Sequence, residues 1–298
     1  MRHLSILALA IMPTMSAAEM LDDTPRIALM SAFPPEWVAL QEGLENPSEH
    51  ELNGVTFITG QMGGKDVVIF LSGVSMVNAA MTTQLALDHF DITTIAFSGI
   101  AGGVDTSLSI GDVVVPAQWG KYLEGVMARE TDGAFSIPPW MNSDFENLGM
   151  ITTVPMGIKS AASAEVDDRF WFQSDEKLLE TARRVAEEMT LADCNPDNEC
   201  LSTAPEIVIG GNGVSGPFFV DNAELRTWAF ATFEAQVLDM ESAAVAHVAY
   251  ANDVPFIAFR SLSDLAGGGE GANEMGTFMS LAASNAASVM RGFVAALE

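Results

Sequence analysis

Cationic side chains are scarce in this sequence. Of 298 residues only 13 are lysine or arginine, against 40 aspartates and glutamates, for a net charge of -27. A surface of that sign repels phosphate backbones, so nucleic acid is not expected as a partner, whereas a neutral or cationic small molecule meets no barrier. The same acidity also suits a solvated surface in a salty medium. Histidine is nearly as rare: there are four, and none stands near the two cysteines in sequence, so no metal site is expected. Long apolar runs are missing too. No stretch reaches 18 uninterrupted apolar residues, so no segment is predicted to span a bilayer and no membrane partner is expected.

The first 18 residues read as an address and not as part of the fold. Arg2 and His3 form a basic start, residues 4–12 are a short apolar run, and Ser16-Ala17-Ala18 offers small residues at a cleavage position. This pattern predicts a signal peptide cleaved near Ala18 and a periplasmic protein. The two cysteines fit that compartment. Cys194 and Cys200 bracket a polar loop, and an oxidising environment favours their pairing as a disulfide over two free thiols.

Hydrophobic residues at 49% with 18% charged describe a chain that folds. Residues 26–32 (RIALMSA) are strand-like and stop at Phe33-Pro34-Pro35, where Glu36 opens a helical pattern with proline suited to its first turn. Two further strand-like runs, 54–60 and 66–71, pair around Gly63-Gly64. Ser72-Gly73-Val74-Ser75 then opens a long helix running to about His89. A strand over 93–97 leads into a glycine turn, Ser98-Gly99-Ile100-Ala101-Gly102-Gly103, of the kind that brings backbone N–H groups close to a ligand. Strand 111–116 follows. Residues 118–204 read as a divergent insertion and loops around one amphipathic helix at about 175–189. The run Gly211-Asn212-Gly213-Val214-Ser215-Gly216 matches a dinucleotide fingerprint. Its context fails, because Pro217-Phe218-Phe219-Val220 stands where a helix should already run. No cofactor is therefore expected.

The most informative stretch is 237–264. An apolar run ends in Asp239-Met240-Glu241, a helix of small residues follows, and a second apolar run ends in Arg260 and Ser263-Asp264. This reads as strand, helix, strand on two neighbouring strands, with a carboxylate just past each carboxyl end, where open α/β sheets bind ligands. With a last helix over 273–297, the predicted fold class is α/β: a single domain over 19–298 with a mixed central β-sheet flanked by helices. Each acid has a plainer reading as well. Asp264 serves as a helix N-cap, Glu36 and Glu241 as first-turn acids facing a helix dipole, and Phe219 as core. His247 reads as a packed helix histidine.

Four stretches in this order resemble one family: Ala32-Phe33-Pro34-Pro35-Glu36; Ser72-Gly73-Val74 with Ser98 to Gly103; Val214 to Val220; and Asp239-Met240-Glu241 with Arg260 to Asp264. Together they look like the nucleoside phosphorylase/nucleosidase superfamily, most like the methylthioadenosine/S-adenosylhomocysteine nucleosidases. The resemblance implies hydrolysis of the bond between a purine and a ribose. It implies Asp264 as general acid toward purine N7 and Glu36 as the base for the attacking water. Glu241 and Met240 would hold the ribose, Phe219 stack on the purine, and Val220 bond its edge. Ser263 would support the acid, and Gly102 belong to the substrate-binding turn. It further implies a homodimer. Departures from the family pattern are Ile100 where serine is usual, Pro34-Pro35 in place of a Glu-rich turn, and Pro217 where an acid is usual. Two alternatives remain at this level: a purine nucleoside phosphorylase, and a periplasmic protein that binds or stores nucleosides without chemistry.

Overall fold

The computed structural model describes residues 20–269 and 271–298; the leader expected over residues 1–18 lies outside them. In chain order the main elements are β1 (Asp22–Ser31), α1 (Pro34–Gln41), β2 (Glu45–Leu52), β3 (Val55–Met62), β4 (Lys65–Leu71), α2 (Met76–His89), β5 (Phe90–Gly103), β6 (Val113–Val115) and β7 (Gln118–Lys121). They continue with β8 (Phe172–Gln173), α3 (Glu176–Glu188), β9 (Ile207–Ile209), β10 (Asn212–Ser215), α4 (Ala223–Phe233), β11 (Ala235–Asp239), α5 (Ser242–Ala251), β12 (Phe256–Asp264) and α6 (Met275–Ala296). All twelve strands join one mixed sheet in the order β8-β7-β10-β11-β5-β1-β4-β3-β2, with β12 pairing β5 and β6, and β6 also pairing β9.

The centre of that sheet is parallel, with β5 between β1 and β12, and helices cover both faces. Parallel strands buried on both sides carry near-continuous apolar runs, and their side chains alternate between two cores. Ala28, Met30, Val68, Phe70, Ile95, Phe97, Phe256 and Ala258 pack with Ala79 and Ala86 of α2 and Ala243 to Ala246 of α5. Their neighbours Ile27, Leu29, Val67, Ile69, Ala96, Ile257 and Phe259 pack on the other face with Leu40 of α1, Leu178 and Ala182 of α3, and Val289 to Val294 of α6. Small residues on α2 and α5 let those helices lie close to each other and to the sheet.

Three details differ from the sequence expectation. The expected glycine turn at 98–103 is the end of β5, which runs on as strand to Gly103. Its glycines serve close approach instead: a Cβ on Gly99 would lie 1.9 Å from a guanidinium nitrogen of Arg260, and one on Gly102 would lie 3.3 Å from Asp264 Oδ1. The two strands bearing acids are not direct neighbours. β11 pairs antiparallel with the last residues of β5 while β12 runs parallel along it, so β5 brings the acids together. Residues 118–204, expected as inserted loops, contribute β7, β8 and α3 to the main body. Only their middle forms separate two-stranded ladders, pairing 125–127 with 151–153, 129–131 with 134–136, and 156–160 with 163–169. Cys194 and Cys200 are joined by a disulfide.

Candidate active site

Beyond the carboxyl ends of β1, β11 and β12 lies a cavity of about 420 Å³. Its walls are mostly apolar, formed by Phe33, Val74, Ile100, Phe218, Phe219, Val220, Met240 and Met275. The charged residues that reach it are all acids: Glu36, Asp239, Glu241 and Asp264. No lysine or arginine among the described residues lines it. Among the described residues no cluster of histidine, cysteine, aspartate or glutamate is placed to hold a metal ion.

Glu36 sits in the first turn of α1, where Pro34 and Pro35 start the helix directly after β1. Its carboxylate turns back under the helix. Oε2 accepts from the N–H of Ala32 at 2.7 Å and of Phe33 at 3.3 Å, and Oε1 accepts from Ile100 N–H at 2.9 Å. The group thus caps its own helix and is also tied to β5. Burial pushes its carboxyl above the usual range, opposed by the nearby Arg260 charge and by the three N–H donors.

Arg260, fully buried in the middle of β12, is the only guanidinium of this cluster among the described residues. Its Nε lies 2.8 Å from Asp239 Oδ2 and donates to Ser242 Oγ at 2.8 Å, its plane stacks 4.0 Å over the Phe97 ring, and Nη2 stands 3.9 Å from Glu241 Oε2. That Nη2 makes no hydrogen bond among the described residues, and Glu241 at 3.9 Å is its charge partner. Asp239 is fixed from several sides. It accepts from the Ser215 hydroxyl and from the N–H groups of Glu241 and Ser242, both at 3.2 Å, and Ser215 in turn accepts from Ala243 N–H at 2.8 Å. The Ser-Gly and Asp-Met-Glu motifs are therefore parts of one network.

Glu241 occupies the N-cap position of α5, yet its side chain does not cap that helix. Oε1 accepts instead from Ser75 N–H at 2.9 Å, reaching across to the start of α2. Ser75 adopts φ 101°, a conformation disfavoured for any residue with a side chain and costing on the order of 1–3 kcal/mol. The strain aims its N–H at Glu241 while its hydroxyl caps α2 through Asn78 N–H. Burial first, and then the charge of Asp239, push the Glu241 carboxyl up to about 7.

Asp264 ends β12. Oδ1 accepts from Ala266 N–H at 2.8 Å and Oδ2 from the Ser263 hydroxyl at 3.0 Å. No helix follows it, so it caps a turn and not a helix. Burial pushes this carboxyl up as well, against the pull of those donors.

The residues singled out from sequence meet at this cavity: Glu36, Gly102, Phe219, Val220, Met240, Glu241, Ser263 and Asp264 all line it. Phe219 is 57% exposed and Phe218 59%, so neither is core; both rings present area that a ligand can cover. His247 lies elsewhere, stacked on Phe172 with Lys121 Nζ 3.3 Å from its Nδ1. No residue of 118–204 reaches the cavity. Sequence reasoning gave no part to Asp239, Ser75 or Met275. Arg260 was part of the matched motif but was given no role in the hydrolysis; its place just after an apolar run, ahead of Asp264, was the available signal.

The chain is 28% identical over 244 residues to a 5′-methylthioadenosine/S-adenosylhomocysteine nucleosidase of Psychromonas ingrahamii, covering 81% of this chain and 87% of that protein. A protein of the same name from Bacillus licheniformis matches with the same identity and coverage. The crystal structure of the Neisseria meningitidis nucleosidase of that name, in complex with methylthio-immucillin-A, superposes with a TM-score of 0.68 at 25% identity, over 91% of this chain and 99% of that one. The pattern of the phosphorylase superfamily matches residues 26–295, and the chain belongs to that superfamily.

Proposed function

We propose that the protein hydrolyses the N-glycosidic bond of a purine nucleoside of the methylthioadenosine/S-adenosylhomocysteine kind, releasing the free base. The observation that carries this reading is the apolar cavity faced by buried carboxylates and, among the described residues, by no cation. Breaking the bond between C1′ and the base leaves positive charge on the ribose and electrons on the purine. Asp264, whose carboxyl burial holds above the usual range, donates its proton to N7 as those electrons arrive. Glu241 accepts hydrogen bonds from the ribose hydroxyls and stabilises the cationic sugar with Met240 packed against it. A water bonds to C1′ and gives its proton to Glu36, whose low-dielectric setting makes it a better base. Phe219 stacks on the purine and main-chain groups of Val220 bond its edge.

The apolar remainder of the wall suits a methylthio or larger thioether at the 5′ position and disfavours a phosphate or other anion there. The same lack of cations argues against phosphorolysis, since anion sites are built from arginine, lysine or helix N-termini. Release of adenine from methylthioadenosine in phosphate-free buffer tests the reaction. Strict dependence on phosphate refutes hydrolysis, and nucleoside binding without any base release favours a binding or storage role. Asp264→Asn is expected to lower kcat by roughly 10²- to 10⁴-fold with the fold retained; activity near that of the parent refutes its assignment as the acid.

Two further features complete the proposal. Val74, Val77 and Met81 expose an apolar stripe from the cavity edge along α2, which supports a homodimer closing the 5′ side; light scattering after gel filtration checks it. The Cys194–Cys200 disulfide lies near the surface and suits an oxidising compartment, supporting export to the periplasm after cleavage near Ala18. N-terminal sequencing of the exported protein checks that.

A further inference from the structure

Ser215 ends β10 directly opposite Asp239 of β11; it is fully buried and does not line the cavity. We infer that Ser215 is a positioning residue for Glu241: together with Asp239 it caps α5 in place of Glu241, which leaves the Glu241 carboxylate free to face a bound sugar. The inference rests on Glu241 holding the ribose in the reaction proposed above.

The first turn of a helix presents N–H groups that have no partner within the helix. At the start of α5 each of them has one. Glu241 and Ser242 N–H both donate to Asp239 Oδ1 at 3.2 Å, and Ser242 N–H also reaches Oδ2 at 3.3 Å. Ala243 N–H donates to Ser215 Oγ at 2.8 Å. Ala244 and Val245 N–H donate to Glu241 O at 2.8 and 3.2 Å. Glu241 stands at the N-cap, the position whose side chain ordinarily takes the first of these donors, yet its carboxylate takes none.

The Ser215 hydroxyl makes that exchange possible. Having accepted from Ala243, it gives its single hydrogen to Asp239 Oδ1 and so holds that carboxylate beneath the helix start. Relieved of the helix, Glu241 turns Oε1 to Ser75 N–H at 2.9 Å and lines the cavity. Without the hydroxyl, Ala243 N–H is left buried and unpaired and Asp239 loses a donor. A bare helix start attracts a carboxylate, and Glu241 is the one attached to it. Its side chain is then expected to turn toward the helix and away from the sugar.

The test is the ratio of kcat/KM for methylthioadenosine to kcat/KM for its 2′-deoxy and 3′-deoxy analogues. It is measured for the parent, Ser215→Ala, Ser215→Cys and Glu241→Ala, with Tm for each. The ratio reads the hydrogen bond between Glu241 and a sugar hydroxyl. General loosening of the fold lowers both rates alike and leaves it unchanged. Ser215→Ala is expected to lower the ratio roughly 10-fold for at least one analogue. Ser215→Cys, whose thiol is a weaker donor, is expected to lower it by less, and carries the comparison alone if the alanine variant does not fold. If Glu241→Ala collapses the ratio while the Ser215 variants keep the parent's, the inference is refuted and the role of Glu241 stands. If Glu241→Ala keeps the parent's ratio, Glu241 does not hold the sugar and the inference falls with that reading. If the parent releases no base, the proposed reaction fails, and the same ratio taken from dissociation constants decides whether Ser215 serves Glu241.

Discussion

Gly99→Ala probes the buried network with the smallest possible change, one methyl group. In the folded protein the new Cβ would lie 1.9 Å from Arg260 Nη1 and 2.8 Å from Glu36 Oε1. Ordinary non-bonded contact begins near 3.5 Å, so the guanidinium has to retreat by about 1.5 Å. It has nowhere to go without losses. Nε is held at 2.8 Å by both Asp239 and Ser242, Phe97 lies 4.0 Å behind its plane, and the residue has no solvent exposure. A shift of that size breaks the ion pair and leaves Asp239 and Glu241 less compensated, a loss of about 3–5 kcal/mol for a buried pair. For a chain of this length each kcal/mol moves Tm by roughly 2–4 °C, so a fall of roughly 10 °C is expected. Because Glu36 is displaced by the same methyl, kcat should fall with Tm, by about 10²-fold for a misplacement of this order. Differential scanning fluorimetry and adenine release measure the two effects. Gly276→Ala, with nothing within 4 Å of the added carbon and a helical setting in α6, is the matched control and should be neutral or mildly stabilising. A Gly99→Ala protein with the parent's Tm and kcat would refute the claim that the guanidinium passes beneath Gly99.

Two more perturbations follow from charge and covalent linkage. Glu241 binds its proton up to about 7 when folded, against about 4.5 when unfolded, so folding takes up a proton between those values. The associated stability is complete below pH 4.5 and is lost as pH rises through 7; Tm should therefore fall from pH 5 to pH 8, and Glu241→Gln should flatten that slope. An unchanged slope in the variant would assign the pH dependence to other carboxyls. Reducing the disulfide, or Cys200→Ser, frees a loop with a sequence separation of 6 and should cost about 2 kcal/mol. The loss should also loosen α6, because Asn195 inside that loop donates to Thr277 O at 3.0 Å; hydrogen exchange across the first turn of α6 reports it.

The parallel core was readable because burial on both faces leaves a continuous apolar run, as in residues 27–30 and 256–259. The acids were readable because strand ends concentrate polar residues after such runs. Arg260 was visible as a residue but not as the hub it is, since only a third dimension brings Phe97, Ser242 and Asp239 around one guanidinium from three elements. Ser75 was visible only as part of a helix start: its bond to Glu241 joins residues 166 apart in the chain. The glycines at 98–103 were read as a turn because local chemistry cannot tell a glycine that bends the chain from one that makes room beside a flat strand. The section 118–204 misled for a related reason. Strands of two to four residues, such as β7 and β8, carry too little periodicity to stand out from loop.

The proton inventory of the site limits how it can work. Glu36, Asp239 and Glu241 are all at most 5% exposed, and Arg260 is the one cation among them. Three ionised carboxylates sharing one guanidinium would leave uncompensated charge in a poorly solvated space, which proteins avoid by retaining protons. Asp239 has the direct contact with Arg260 and the most donors, so the proton falls on a carboxyl with weaker compensation; Glu241, 3.9 Å from the guanidinium, is pushed up to about 7. Asp264 lies outside this cluster and is held up by its own burial. Separate control of the two ends follows from that spacing. In the proposed reaction the acid at the leaving-group end keeps its proton through burial, while the carboxylates at the water end share one guanidinium. In that proposed reaction, positive charge appearing on a bound ribose would favour ionised Glu241 and make the cavity most complementary to the sugar as the bond breaks, which is where stabilisation lowers the barrier.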